Sequence, residues 1–330
     1  MKALVYTDTL ELQYRDEPQP EPGPGEALIK IEAVGICGSD MHAYHGHDAR
    51  RVPPLILGHE AVGIVQTGQY KGKRVVLNPL ITCGICNHCQ GGRSNLCAER
   101  ELIGMRRAGA FAEYIDIPER NLLEMPQDMD PVIASLTEPA ATSLHAIYLT
   151  EKILHRPLSE CRVLVIGGGS IGIFAALILK HKGCQSIYLG DTNPLRRETA
   201  NKLKFGTVYN PIGDDLPERA SFDVVIDAVG SGRTRASSCE MVKAGGIISH
   251  VGLQDNEPGL DTRRITLEEI TLLGNYTYSV LDLKAAIDLL YSGALGSLDW
   301  VDIRPLEKGS DAFSDIHEGK AASPKIVLTP

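Results

Sequence analysis

Cys83, Cys86, Cys89 and Cys97 follow the pattern Cys-x-x-Cys-x-x-Cys-x7-Cys. Four soft thiolates this close can wrap one tetrahedral zinc ion and leave no coordination position open, which describes a structural site. An iron–sulfur cluster and redox thiols are the competing uses of such spacing. His88 lies inside the loop, but four cysteines complete a tetrahedron without it, so it reads as a surface residue.

A second donor set is more dispersed. Cys37 lies in Gly35-Ile-Cys-Gly-Ser-Asp-Met-His42, and His59 and Glu60 lie in Gly58-His-Glu-Ala-Val-Gly63. A thiolate, an imidazole and a carboxylate make a zinc site with room for an oxygen from outside the protein, the catalytic arrangement. Taken singly, each residue has a plainer reading: a buried free Cys, a core His with its bonds satisfied, a solvated Glu. Their joint occurrence with the closed cysteine loop and the motif described next outweighs those readings.

Gly167, Gly169 and Gly172 form Gly-x-Gly-x-x-Gly between a buried-strand run, Arg162-Val-Leu-Val-Ile166, and an apolar helical stretch that starts at Ser170. The first glycine permits a tight turn, the second lets the backbone approach a pyrophosphate, and the third lets helix pack on strand. Unpaired N–H groups at the helix start, around Ser170 and Ile171, would face the phosphates. Asp191 closes the next strand, 19 residues past Gly172, where a carboxylate can accept from ribose hydroxyls. It would repel a 2′-phosphate, so NAD is favoured over NADP. Arg196 and Arg197 could reach a phosphate or simply line a solvated helix face, which leaves weak NADP use open.

These residues need elements to position them. Short β-branched runs, Ala3 to Tyr6, Ala27 to Ile36, Gly63 to Gln66 and Arg74 to Leu77, separated by Pro/Gly punctuation, predict a compact, mostly antiparallel β domain. From about residue 160 strands alternate with helices: Arg162 to Ile166, a helix from Ser170 to Lys182, Ser186 to Leu189, a helix from Asn193-Pro194 to about Phe205, then strands Phe222 to Val229 and Gly246 to Leu253. That texture predicts a doubly wound parallel sheet. A helix from Leu281 to Leu290 and a strand from Lys325 to Leu328 make a tail too short to fold alone, which should rejoin the first domain. The division expected is residues 1–139 with 278–330, and 140–277.

Composition excludes other classes. The 330 residues are 43% hydrophobic and 23% charged, ordinary for a folded chain of about two domains. Lys+Arg number 33 against 42 Asp+Glu, a net charge of −9 that would repel a nucleic-acid backbone. The longest apolar stretch, Ile171 to Leu179, falls well short of the roughly 20 residues a bilayer needs, so no membrane partner is expected. Asp8 and Glu11 interrupt the N-terminus before any signal-peptide core could form. Clustered cysteines in a chain of this length suit metal binding in a reducing cytoplasm. Cys161, Cys184 and Cys239 read as packing.

Taken together, Gly58-His59-Glu60, the four-Cys lobe and the later glycine fingerprint, in this order, resemble the zinc-containing medium-chain dehydrogenase/reductase family over nearly the full length. The resemblance implies an α/β protein with a GroES-like β domain, an inserted Rossmann domain, and an active site in the cleft between them. It implies that Cys37 and His59 hold a catalytic zinc, with Glu60 as ligand or exchangeable neighbour, and two zinc ions per chain. Glu138, in Leu-Thr-Glu-Pro-Ala140, stands where primary-alcohol dehydrogenases of the family place another Cys ligand. Gly38 stands where many of them carry a basic residue. Both departures resemble the polyol and sugar dehydrogenase branch, although Glu138 could serve only as a helix N-terminal acid.

The expected reaction is hydride transfer from a secondary alcohol, a polyol, sugar or sugar-acid, to NAD, giving a ketone. Ser39 would accept the alcohol's proton and pass it, through the cofactor ribose or water, to His42 near solvent. Asp40 would orient a zinc ligand or cap a helix. His45 and His47 are set aside as exposed or substrate-facing. The resemblance also implies a homodimer or homotetramer joined through Rossmann sheet edges. The rival readings are a zinc-dependent primary-alcohol or aldehyde enzyme, and a non-catalytic zinc-binding regulator on the same scaffold.

Overall fold

The central strand of the first sheet, Glu26–Gly35, is buried along most of its length because it has neighbours on both edges and packing on both faces. The computed structural model describes residues 1–330 and divides them into two compact units, 1–138 with 279–330, and 139–278.

In the first unit the main sheet runs Leu122–Glu124, Arg74–Leu77, Glu60–Val65, Glu26–Gly35, Lys325–Thr329, Val301–Pro305, and Tyr114–Pro118 also pairs with Glu26–Gly35. Its pairings are antiparallel except that of the last two strands, Val301–Pro305 and Lys325–Thr329, which is parallel. Lys2–Asp8 carries a smaller sheet, between Glu11–Asp16 and Leu55–Ile56. The core between these layers includes Leu4, Ile29, Phe111, Ile115, Phe313 and Leu328. Phe111 and Phe313 meet edge-to-face with centroids 5.9 Å apart.

Register decides what meets at one end of this sheet. Gly35 pairs with Glu60, and Val327 pairs with Gly35 from the other side. A Cβ on Gly35 would lie 2.0 Å from Glu60 Oε2, so only glycine lets that carboxylate lie over the strand. Helix Gly38–Tyr44 then leaves the strand end, opening on Gly38 and Ser39, residues of poor helix propensity that hide it in the sequence.

The second unit holds six parallel strands in the order Thr207–Tyr209, Ser186–Gly190, Arg162–Ile166, Phe222–Asp227, Val242–His250, Thr271–Gly274. Strand order reverses beside Arg162–Ile166, the switch point where open α/β sheets bind ligands. Three elements depart from expectation by more than a residue. The helix after Asn193 is Pro194–Lys202, not a run to Phe205, because Lys204 turns left-handed at φ 52°. Strand Phe222–Asp227 stops short of Val229 because the Asp227 carboxylate accepts from the N–H groups of Val229 and Gly230. The following strand starts at Val242, four residues before the predicted Gly246, and ends at His250. No helix is long and apolar enough to cross a membrane.

Candidate metal centres and dinucleotide site

Cys37 is the N-cap of helix Gly38–Tyr44, and His59 and Glu60 enter the neighbouring strand just after Gly58. Gly58 adopts φ 91° with its Cα against the Phe111 ring, where a Cβ would come within 2.7 Å, and this turn aims His59 inward. The Cys37 sulfur, a His59 ring nitrogen and a Glu60 oxygen all lie within 4.8 Å of one another.

Asp40 lies beneath them, in contact with both Cys37 and His59. Its Oδ2 accepts from the Cys37 N–H at 2.9 Å, capping the helix, and its Oδ1 stands 3.4 Å from His59 Nδ1. That nitrogen is buried with no partner in full hydrogen-bond geometry. Burial alone would lower the His59 pKa, but the charges of Asp40 and Cys37 raise it well above the ordinary value. Burial likewise opposes ionisation of Asp40, and His59 and Arg51 nevertheless hold its carboxyl below the usual range. A thiol, an imidazole and a carboxylate thus meet in one small, largely buried space, and a zinc ion fits that donor set.

Lys325 is a residue the sequence reading placed only as the start of a strand. Its Nζ donates to both Glu60 oxygens, at 2.8 and 2.6 Å, and to the Ile36 carbonyl at 2.8 Å. Burial disfavours its charge, but Glu60, Cys37 and Glu138 raise its pKa above the ordinary value. Glu60 is therefore a carboxylate shared between a fixed ammonium and the donor cluster. Glu138, in the first turn of helix Thr137–Glu151, is buried and acts on Lys325 electrostatically, but it falls outside the 4.8 Å donor set.

On helix Gly38–Tyr44, two residues past Cys37, Ser39 Oγ accepts from Arg51 Nη2 at 3.2 Å. Arg51 is a second residue that sequence reasoning passed over. It is 3% exposed, its Nε donates to the Gly104 carbonyl at 2.9 Å, and its Nη1 pairs with Asp48. Burial pushes the Asp48 carboxyl up, but bonds from Arg50 and the charge of Arg51 bring it down to about 2. His42 is half-buried, and burial, with His47 and Arg51, lowers its pKa, so its imidazole is neutral at neutral pH.

The four-Cys lobe closes on itself. Cys83–Cys89, Cys86–Cys89 and Cys97–Cys83 sulfurs are 3.9, 3.5 and 3.5 Å apart. Four Zn–S bonds of about 2.3 Å in a tetrahedron put sulfurs about 3.8 Å apart, so the lobe fits a closed zinc site. Backbone N–H groups of Ile85 and Cys86 lower the Cys83 thiol to about 6. All eight cysteines are free thiols, and Cys161, Cys184 and Cys239 are buried.

In the second unit a Cβ on Gly172 would sit 1.8 Å from the Gly167 carbonyl oxygen, whereas one on Gly169 would meet nothing within 4 Å. Gly172 is thus required for packing, and Gly169 borders open space at the start of helix Ser170–His181. That helix has no side-chain cap. The Ile171 carbonyl accepts from Ser143 Oγ at 2.9 Å, which steadies the helix start. Asp191 is buried, and its two oxygens accept from the N–H groups of Gly168 and Asn193, each at 2.6 Å. Arg197 is committed to the carbonyls of Asp191 and Thr192, while the Nε of Arg196 is buried without a partner. A cradle open at Gly169 with uncapped N–H groups fits a dinucleotide pyrophosphate.

A family model described as the alcohol dehydrogenase GroES-like domain matches residues 23–127, and one described as zinc-binding dehydrogenase matches residues 170–292. The chain is 32% identical to L-threonine 3-dehydrogenase of Streptomyces avermitilis, over 99% of each protein. It is 34% identical to L-galactonate-5-dehydrogenase of Escherichia coli K12, over 89% of this chain and 88% of that one. A solved structure from Sinorhizobium meliloti 1021, described as a zinc-binding dehydrogenase bound to NADP, superposes with a TM-score of 0.86 at 30% identity, over 100% of this chain and 99% of that one. The chain belongs to the zinc-containing medium-chain alcohol and polyol dehydrogenase family, and it is an oxidoreductase acting on alcohol groups.

Proposed function

We propose that this protein oxidises a secondary alcohol of the polyol, sugar or sugar-acid class to a ketone, with NAD as hydride acceptor and one catalytic and one structural zinc per chain. The observation that carries the reading is the gathering of Cys37, His59 and Glu60 within 4.8 Å, at the start of the helix that carries Ser39 and His42. The threonine and galactonate dehydrogenases to which the chain is similar support this branch.

An alcohol is too weak an acid to ionise at neutral pH, and hydride leaves its carbon readily only once the oxygen carries charge. Cys37, His59 and Glu60 would hold a zinc ion, which would supply the Lewis acidity that lowers the hydroxyl's pKa. The protein's own groups do the rest. Asp40 fixes Cys37 through its N–H and faces His59. Arg51 occupies one lone pair of Ser39, leaving the other for the substrate's proton and the Ser39 O–H free to donate onward. His42, neutral at working pH, receives that proton near solvent. Lys325 holds the Glu60 carboxylate and Glu138 adds to the negative field on Lys325, so both would shape the charge of Glu60 as a ligand. The lobe of Cys83, Cys86, Cys89 and Cys97 holds the structural ion.

The cofactor would lie on Gly167, Gly169 and Gly172, with its pyrophosphate on the N–H groups at Ser170 and Ile171, its ribose on Asp191, and Arg196 at its phosphate side. The Asp191 charge supports NAD over NADP. Copies of the chain would pair through the sheet edge Thr271–Gly274 and work in the cytoplasm. A panel of polyols, sugar acids, amino alcohols and primary alcohols, read as NADH absorbance alongside zinc content, tests the assignment. Two zinc ions per chain and chelator-sensitive polyol oxidation are expected. Faster turnover of simple primary alcohols would move the protein to the other branch, and one zinc with no turnover would end the catalytic reading.

A further inference from the structure

His45 and His47 have no part in the reaction above, yet the fold gives them a partner from the far end of the chain. His45 is the C-cap of helix Gly38–Tyr44, and Gly46, at φ 70°, turns the chain so that the His47 N–H donates to the His42 carbonyl at 2.9 Å. This turn brings the His45 and His47 rings near each other, tilted by 53° with centroids 5.6 Å apart. His317, the last residue of helix Gly309–His317, arrives from the other side, because Tyr44 packs on Phe313 of that helix with centroids 5.4 Å apart. His45 Nε2 and His317 Nδ1 are then 3.0 Å apart, across 272 residues of sequence.

We propose that His45, His317 and His47 form a third metal site, which takes a divalent late transition-metal ion such as zinc. Two Zn–N bonds of about 2.0–2.1 Å at a tetrahedral angle put their nitrogens about 3.3 Å apart, so this pair needs to open by only a few tenths of an ångström. Exposed His47, its ring centroid 5.6 Å from that of His45, would turn to supply a third imidazole, and water would complete the shell. The donor set is imidazole alone, which suits zinc, nickel or copper and excludes magnesium and calcium. None of the three histidines belongs to either cysteine-containing donor set. An ion held by them joins the helix carrying Ser39 and His42 to the C-terminal helix. It closes a loop of most of the chain, a cross-link that stabilises the folded first unit.

The test uses the zinc-loaded enzyme at a pH of about 8, where ordinary imidazoles are neutral. Zinc chloride is titrated calorimetrically into the wild type, H45Q, H317Q and H88Q, and bound zinc is counted after dialysis. The wild type and H88Q should take up one ion more than H45Q or H317Q, and added zinc should raise the unfolding midpoint only in the former pair. The 15N shifts of the His45 and His317 imidazoles should move on zinc addition. Equal uptake in all four proteins, or loss of uptake only in H88Q, would overturn the site. Because uptake is read as metal and not as turnover, failure of this proposal leaves the dehydrogenase reading untouched, and the reverse also holds.

Discussion

Taking Glu60 and Lys325 out of water together is tolerable only because each satisfies the other, and both are 1% exposed. Lys325→Met would leave a buried carboxylate unpaired, at a cost of about 3–5 kcal/mol in chelator-treated protein followed by denaturant unfolding. Zinc at the adjacent donors should restore much of that loss; an equal loss with and without zinc would show that Glu60 does not face the metal. Asp191→Asn keeps a hydrogen-bond acceptor and removes the charge, so the NAD-to-NADP ratio of kcat/KM should fall by about tenfold or more. An unchanged ratio would reject the ribose contact.

Asp48, which anchors Arg51, carries a pH signature. Its carboxyl is lowered from 3.8 to about 2, so its stabilisation is present above the ordinary pKa and disappears as pH falls through about 2. Asp48→Asn should flatten the acid limb of the stability curve between those values, and an unaltered limb would count against the pairing. Such partnerships could not be read from the chain. Arg51 sits among Arg50, Val52 and two prolines like any loop cation, and only burial against Gly104 and Ser39 distinguishes it.

At the scale of elements, regular periodicity was legible and local exceptions were not. Arg162-Val-Leu-Val-Ile166 reads as a buried strand because a parallel strand with neighbours on both edges has no polar face to show. Helix Gly38–Tyr44 was hidden by Gly38 and Ser39, residues of poor helix propensity, and it forms because Cys37 and Asp40 close a capping box at its start. The cysteine lobe was legible from spacing because so short a segment leaves the sulfurs little freedom to be elsewhere. It has scarcely any regular structure, only helices Asn87–Gln90 and Ser94–Leu96, so under the proposed function a bound ion would be what holds it. Cys97→Ser should therefore lower bound zinc by one ion per chain and open residues 83–97 to proteolysis, while the dinucleotide unit keeps its cofactor affinity. Resistance equal to wild type would mean the lobe folds without metal.

At the scale of the molecule, the chain leaves the first unit after Glu138 and returns at Ser279. The second unit's sheet ends on Thr271–Gly274, an edge strand on which Leu272 is 43% exposed. Unpaired edge groups beside exposed apolar side chains favour strand addition from a second copy. Leu272→Lys should shift the protein toward monomer in light scattering after size exclusion; an unchanged mass would place any interface elsewhere. What the amino-acid sequence determined by itself was chemistry set by short spacing: four sulfurs in one loop, glycines between a strand and a helix, His59 beside Glu60. Those motifs act within one turn or one strand end, so local geometry suffices to define them. Tertiary structure alone decided the partners, because Lys325 on Glu60, Arg51 on Ser39 and His317 on His45 join side chains that no local periodicity relates. Sheet register and helix docking bring them together, and both depend on how the whole core packs.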